Sequence, residues 1–124
     1  MSLDRRTLIA AGLAALAPAA ASAHHSTAMF DWGVETILEG EVQEFQWTNP
    51  HSFLWLKVGG EVYALEGMSP NALGRSGWTK RTITPGQKVK AIAYMLKDGR
   101  KGGFCARVVL PDGTVMRQVG PRVS

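Results

Sequence analysis

Three histidines hold most of the metal-binding capacity of this 124-residue chain. His24 and His25 stand side by side directly after Ala21-Ser22-Ala23, and His51 follows Asn49-Pro50. Small residues in the A-x-A pattern are what signal peptidases cut. Cleavage after Ala23 makes His24 the first residue of the mature chain. An N-terminal histidine then offers two nitrogens, the α-amine and the ring Nδ1. An imidazole from His51 completes a roughly planar set of three nitrogens. His25 is an alternative third ligand, binding with the amine and the intervening amide. Copper(II) prefers such a set and heads the divalent affinity order. Thioether sulfur suits copper(I), and Met68, at the end of a strand, is the methionine grouped with His24, His25 and His51; Met29 lies in the arm after the histidines.

Other chemistries find less support. The chain has no H-E-x-x-H, no C-x-x-C and no phosphate loop, so neither a zinc hydrolase nor a dithiol enzyme is indicated. Glu35, Glu39, Glu41, Glu44, Glu61 and Glu66 supply carboxylates, but strand parity scatters them. Asp98 and Asp112 sit in turns, where Asp serves local hydrogen bonding. No residue order suggests a Ser–His–acid triad, and no enzyme is expected. Trp47 and Trp55 offer rings on which a ligand could stack in a barrel mouth, although strand tryptophans commonly pack cores. Lys80, Arg81, Lys97, Arg100 and Lys101 could contact phosphates, but an exported protein meets no nucleic acid.

Export is read from the first residues. Arg5 and Arg6 precede a short Ala/Gly/Leu-rich apolar run, Thr7 to Ala17, which Pro18 interrupts. That run falls short of the roughly 20 residues a membrane span needs. Met1–Ala23 therefore reads as a cleaved signal peptide, and Asp4-Arg5-Arg6-Thr7-Leu8-Ile9 looks like a twin-arginine signal. The expected organisation is signal 1–23, a polar arm 24–35 and one domain 36–124, working in the periplasm or secreted, with no transmembrane segment in the mature chain. Removing Asp4, Arg5 and Arg6 lowers the net charge from +4 to +3. The mature chain is acidic up to Glu66, with Lys57 its one base, and basic from Gly67 on. Strands that interleave the two signs are expected, rather than two charged faces. Cys105 is the only cysteine, so no internal disulfide forms and the thiol is expected to be buried.

These side chains must be positioned by strands. Thr36–Thr48 reads as a long first strand whose apolar face switches near Glu44, from Leu38, Gly40 and Val42 to Phe45 and Trp47. Such a switch marks a bulge or a bend around a barrel. His51–Val58 and Glu61–Met68 alternate on either side of Gly59-Gly60, a two-residue hairpin signal. Ser69-Pro70 caps and opens a short helix that ends by Gly77. Lys88–Leu96, Phe104–Leu110 and Thr114–Val119 are the remaining strands, with Asp98–Gly103 a glycine-rich basic loop. Three strands, a short helix and two or three further strands predict an all-β, OB-like closed barrel of five to six strands, with the helix between strands three and four.

The stretches His24-His25-Ser26, Phe45-x-Trp47-Thr48-Asn49-Pro50-His51-Ser52, Met68-x-Pro70-Asn71-x-Leu73, Gly77-Trp78 and Pro111-Asp112-Gly113 together resemble an uncharacterised family of small exported bacterial proteins, domain-of-unknown-function family six-one-five-two. The resemblance implies an exported, single-domain, mostly β protein and carries over no catalytic residues. The residues themselves point to a non-enzymatic binding or accessory module, with copper the leading ligand. A structural or interaction domain docking on another periplasmic protein without metal is the alternative, and a small-molecule binder using Trp47 and Trp55 a third.

Overall fold

The computed structural model describes residues 27–118. His24, His25, the expected signal segment 1–23 and the end of the last expected strand at Val119 lie outside them. Six strands and one helix follow in the order β1 (Thr36–Gln46), β2 (Phe53–Val58), β3 (Glu61–Glu66), α1 (Pro70–Arg75), β4 (Lys88–Met95), β5 (Gly102–Val109) and β6 (Val115–Arg117). The sheet runs β3-β2-β1-β4-β5-β6, and β3 also pairs with β5. That last pairing is the one parallel ladder among the described strands, and it closes the first five into a barrel with β6 added outside. Both the OB-like closure and the helix between β3 and β4 are as the element order predicts.

The local reasons are visible in the residues. Register shifts between Val42 and Glu44, so the extra residue of β1 makes a bulge and the apolar side changes face. Before the bulge Leu38 and Val42 are buried; after it Phe45 turns onto the same core. Leu54, Leu56 and Leu65 fill the inward parity of β2 and β3, whose register across Gly59-Gly60 pairs Phe53 with Glu66 and Val58 with Glu61. Ser69 accepts a hydrogen bond from the Ala72 amide at 3.3 Å and so caps α1. Leu73 and Trp78 are buried in the same core, and the Trp78 indole donates to the Arg117 carbonyl at 2.9 Å.

β1 and β3 end two residues before the expected Thr48 and Met68, at Gln46 and Glu66, β4, β5 and β6 differ by one or two residues at their ends, and two strand starts shift by two residues. β5 begins at Gly102, inside the expected Asp98–Gly103 loop. The missing side chains let backbones approach closely: a Cβ on Gly102 would lie 2.9 Å from the Ala64 carbonyl, and one on Gly103 2.6 Å from that of Tyr94. Gly102 thus serves the closing seam with β3, and Gly103 the close approach of β4. β2 begins at Phe53 rather than His51, although the Gly67 amide still donates to the Ser52 carbonyl at 2.8 Å. The Asn49–Pro50 bond that precedes it is cis.

The arm is tied down from Met29 onward. The Lys97 amide donates to the Met29 carbonyl at 2.9 Å and that of Asp31 to the Met95 carbonyl at 2.8 Å. Phe30 and Trp32 lie over β4 and β5, with Trp32 5.3 Å from Phe104 and 5.1 Å from Tyr94 between ring centres. Phe30 is 4% exposed, so this segment of the expected polar arm forms a second apolar layer.

Charges interleave as expected. Glu39 and Glu41 of β1 face Lys90 and Lys88 of β4. Glu61 meets Lys101 at 2.7 Å, and Glu35 meets Arg107 through both guanidinium nitrogens at 2.9 Å. The Arg107 guanidinium holds the Glu35 carboxyl below its ordinary range. No described helix is long and apolar enough to cross a membrane.

The seam gives a stability test. Gly102→Ala, whose Cβ would press on the Ala64 carbonyl of β3, should destabilise by about 1–3 kcal/mol, the range for overpacking, read as a lower urea midpoint. Gly33→Ala, at an open turn of ordinary φ, should change stability by less than about 0.5 kcal/mol.

Candidate functional site

The Trp47-Thr48-Asn49-Pro50-His51-Ser52 run forms the connection from β1 to β2 and is held from within. The Thr48 hydroxyl donates to the His51 carbonyl at 3.1 Å. Ser52 is buried, and its hydroxyl donates to the Met68 carbonyl at 2.8 Å. A Cβ on Gly67 would collide with that hydroxyl, so glycine is needed where the two segments meet. The anchored backbone leaves the His51 side chain on the outside, 48% exposed.

The orientation of the imidazole follows from one contact. His51 Nδ1 lies 3.1 Å from the Gly67 carbonyl oxygen. A carbonyl only accepts, so Nδ1 carries the hydrogen and Nε2 of the neutral ring is a bare acceptor. A ring nitrogen pinned to a backbone carbonyl, with the other free, is how metal-ligating histidines are usually held. Nε2 faces Glu66, whose Oε1 is 3.7 Å away.

Glu66 opens onto a groove of about 360 Å³. Its walls include Met29 and Phe30 from the arm, Phe53 from β2, Ala64 from β3, and Lys101 and Gly102 at the entry to β5. The segment leading back to His25 and His24 therefore meets the barrel in the groove that Glu66 shares. His25 is four residues and His24 five before Met29. Thr27 to Met29 form a turn, with the Thr27 carbonyl accepting from the Trp32 indole at 2.7 Å, so the reach is counted from Thr27 to His24, at most about 10 Å at roughly 3.3–3.6 Å per residue.

Of the sequence-derived candidates, His51 is thus placed on the arm's side of the barrel. His24 and His25 lie outside the described residues. Met68 is half-buried and packs its side chain against the core. Its amide donates to the Gln118 side chain at 2.7 Å. Trp47 and Trp55 are not brought together as one platform. Trp47 packs against the core beside Phe45, at 5.9 Å between ring centres. Trp55 lies on the outer parity of β2, between the buried Leu54 and Leu56, and donates to Gln46 Oε1 at 2.8 Å.

Glu66 is the residue that parity alone leaves unplaced. Counting the hairpin register outward from Gly59-Gly60 puts it opposite Phe53 and one diagonal step from His51, within reach of a long side chain. Among the described residues no three of His, Cys, Asp and Glu converge on a metal site, so His51 and Glu66 form a pair that needs ligands from elsewhere. A larger hollow of about 430 Å³ lies between Glu39–Glu41, Lys88–Lys90 and Val109–Pro111. It contains none of these candidates, and its Glu39 and Lys90 are paired at 3.3 Å.

Cys105 stands apart from this chemistry. It is buried in the core, and burial pushes its thiol up to about 12, the Gln118 and Arg107 hydrogen bonds only partly opposing that. A family model described as a family of unknown function, DUF6152, matches residues 12–106, which run through the arm and the barrel into β5. No curated protein and no solved structure matches the chain.

The thiolate is the reactive form of cysteine. At pH 8 native Cys105 should therefore not react with a thiol-exchange reagent over hours. Denaturation should release one thiol per chain within seconds, read by absorbance.

Proposed function

The chain belongs to DUF6152, a family of unknown function, and we propose that it is an exported, non-enzymatic binding module that holds copper(II) between its mature N-terminus and His51. The reading takes Met1–Ala23 as a cleaved signal, so that the α-amine and imidazole of His24 become ligands in the periplasm. The observation that carries it is the pinned imidazole of His51, its Nε2 free, beside the groove into which Met29 brings the arm. The reading requires His24, three residues before Thr27, to return to that groove within a reach of about 10 Å. Three nitrogens from an amine and two imidazoles suit copper(II) above the other divalent ions of the first transition row. His25 supplies the third nitrogen if its ring rather than that of His51 faces the amine.

A second reading has its own observation. Phe53 and Trp55 lie 6.3 Å apart on the outer face of β2, beside Val62, which is 44% exposed on β3. A partially exposed aromatic and aliphatic row of this kind suits docking on another exported protein without metal.

The two readings separate in one titration. Processed protein whose first residue is His24, confirmed by mass spectrometry, should bind one copper(II) with sub-micromolar Kd. One extra residue before His24, or His51→Ala, should weaken binding at least tenfold. Millimolar binding by the correctly processed chain overturns the copper reading and leaves the docking face.

A further inference from the structure

We propose that the groove beside the β3–β5 seam is a binding site for a small primary amine, its ammonium held by Glu66 and its apolar body lying against Phe53. The site stands apart from the copper reading, because every residue that builds it lies between Met29 and Gly103.

The seam itself makes the groove. Ala64 of β3 stands opposite Gly102 of β5, so the pair at the floor contributes a single methyl group. Larger side chains surround that floor: Phe53 from β2, Met29 and Phe30 from the arm, and Leu96 just past β4. A hollow of about 360 Å³ is within the size range of small-ligand pockets. Like them it combines apolar walls with a few polar groups.

Charge decides what fits. Arg100, Lys101 and Glu66 are the charged residues along the groove. Arg100 is bonded to Asp98 at 2.6 Å and Lys101 to Glu61 at 2.7 Å, so each cation is already matched by its own acid. Among the described residues Glu66 pairs with no lysine or arginine, and only His51 faces it. One negative charge, 26% exposed, is therefore left over against apolar walls. The complement of that charge is a cation that carries hydrogen-bond donors, since charge-assisted bonds are the strong ones.

The kind of cation follows from the neighbours of Glu66. It stands directly opposite Phe53 in the β2–β3 register, which puts the two Cβ atoms about 4.5–5.5 Å apart. A cation bonded to the carboxylate thus comes within reach of the Phe53 ring, whose face attracts positive charge over roughly 6 Å. His51 Nε2, a bare acceptor in the neutral ring, lies 3.7 Å from Glu66 Oε1, which also only accepts. A primary ammonium has three N–H donors and can serve both atoms. A quaternary ammonium has none and serves neither. The acceptors select a primary amine, and the walls select one with a short apolar body.

The test titrates metal-free protein, held in chelator at pH 7, with phenethylamine, and reads backbone amide shifts by nuclear magnetic resonance. The amine should bind with sub-millimolar Kd and move the amides of Ala64, Glu66, Gly102 and Gly103. Phenethyl alcohol, which has the shape without the charge, and the quaternary trimethylammonium analogue should each bind at least about tenfold more weakly, as loss of a charged hydrogen bond implies. Glu66→Gln should weaken amine binding by the same factor. Ala64→Leu fills the floor, leaves every charge in place and should abolish binding. Glu39→Gln removes a carboxylate from the other hollow and should leave Kd unchanged. Melting curves confirm that each variant is folded. The proposal is overturned if the amine binds no better than the alcohol, if Glu66→Gln or Ala64→Leu binds like the wild type, or if the shifts map to another face. A lysine-bearing peptide that binds tenfold tighter than the free amine also overturns it, in favour of a protein partner. Failure on any of these counts leaves the copper reading standing, because the probe contains no metal.

Discussion

The parallel pairing of β3 with β5 is the constraint from which the other features follow. Three residue pairs make it, Ala64 with Gly102, Leu65 with Gly103 and Glu66 with Phe104. It turns an open sheet into a barrel and spares β3 and β5 an exposed edge over that length. Gly102 permits the approach, because a side chain there would press on the Ala64 carbonyl of β3, while Gly103 gives β4 the same room on the other side. The same seam fixes Glu66 between Phe53 and Phe104 and sets the entry of β5 beside the arm. Closure and the candidate site are thus one geometric event.

Stability in this small barrel comes from apolar burial rather than cross-links, since Cys105 has no partner cysteine. The inner core of Leu38, Val42, Leu54, Leu56, Leu65, Trp78 and Val108 is supplemented by an outer layer of Phe30, Trp32, Tyr94 and Phe104. The outer layer matters for position as well as for burial. It clamps the chain at Met29–Trp32, so whatever precedes Met29 starts from a fixed point on the β3–β5 side. The charge pairs that join the acidic first half to the basic second half are exposed, and pairs of that kind contribute little.

Much of the fold is legible in the residues. The face switch at Glu44, the Gly59-Gly60 hairpin and the Ser69-Pro70 helix start each depend on local rules that the sequence states directly. What stays hidden is non-local. Gly102 and Gly103 look like a loop until Ala64 and Tyr94 are seen against them, because nothing near them in sequence names their partner. Phe30 and Trp32 look like an arm for the same reason: the surface they cover is made by β4 and β5. At the site, His51 stands out by type and spacing, whereas Glu66 is one of six glutamates until the register is counted. Trp47 and Trp55 look alike in sequence, yet one packs on the core and the other bonds to Gln46 on the outer parity of β2.

The seam has a kinetic meaning too. The hairpins β1–β2, β2–β3 and β4–β5 join neighbours along the chain and can zip early. Ala64 and Gly102 must find each other across the helix, the turn at Pro85-Gly86 and the whole of β4. Long-range pairing of this sort is slow because loop entropy is lost before any contact repays it. The pairing of β1 with β4 spans a still longer stretch of chain, and until the seam is made as well β3 offers an unpaired edge and the groove does not exist, so a nascent chain has a sticky interval before the barrel closes.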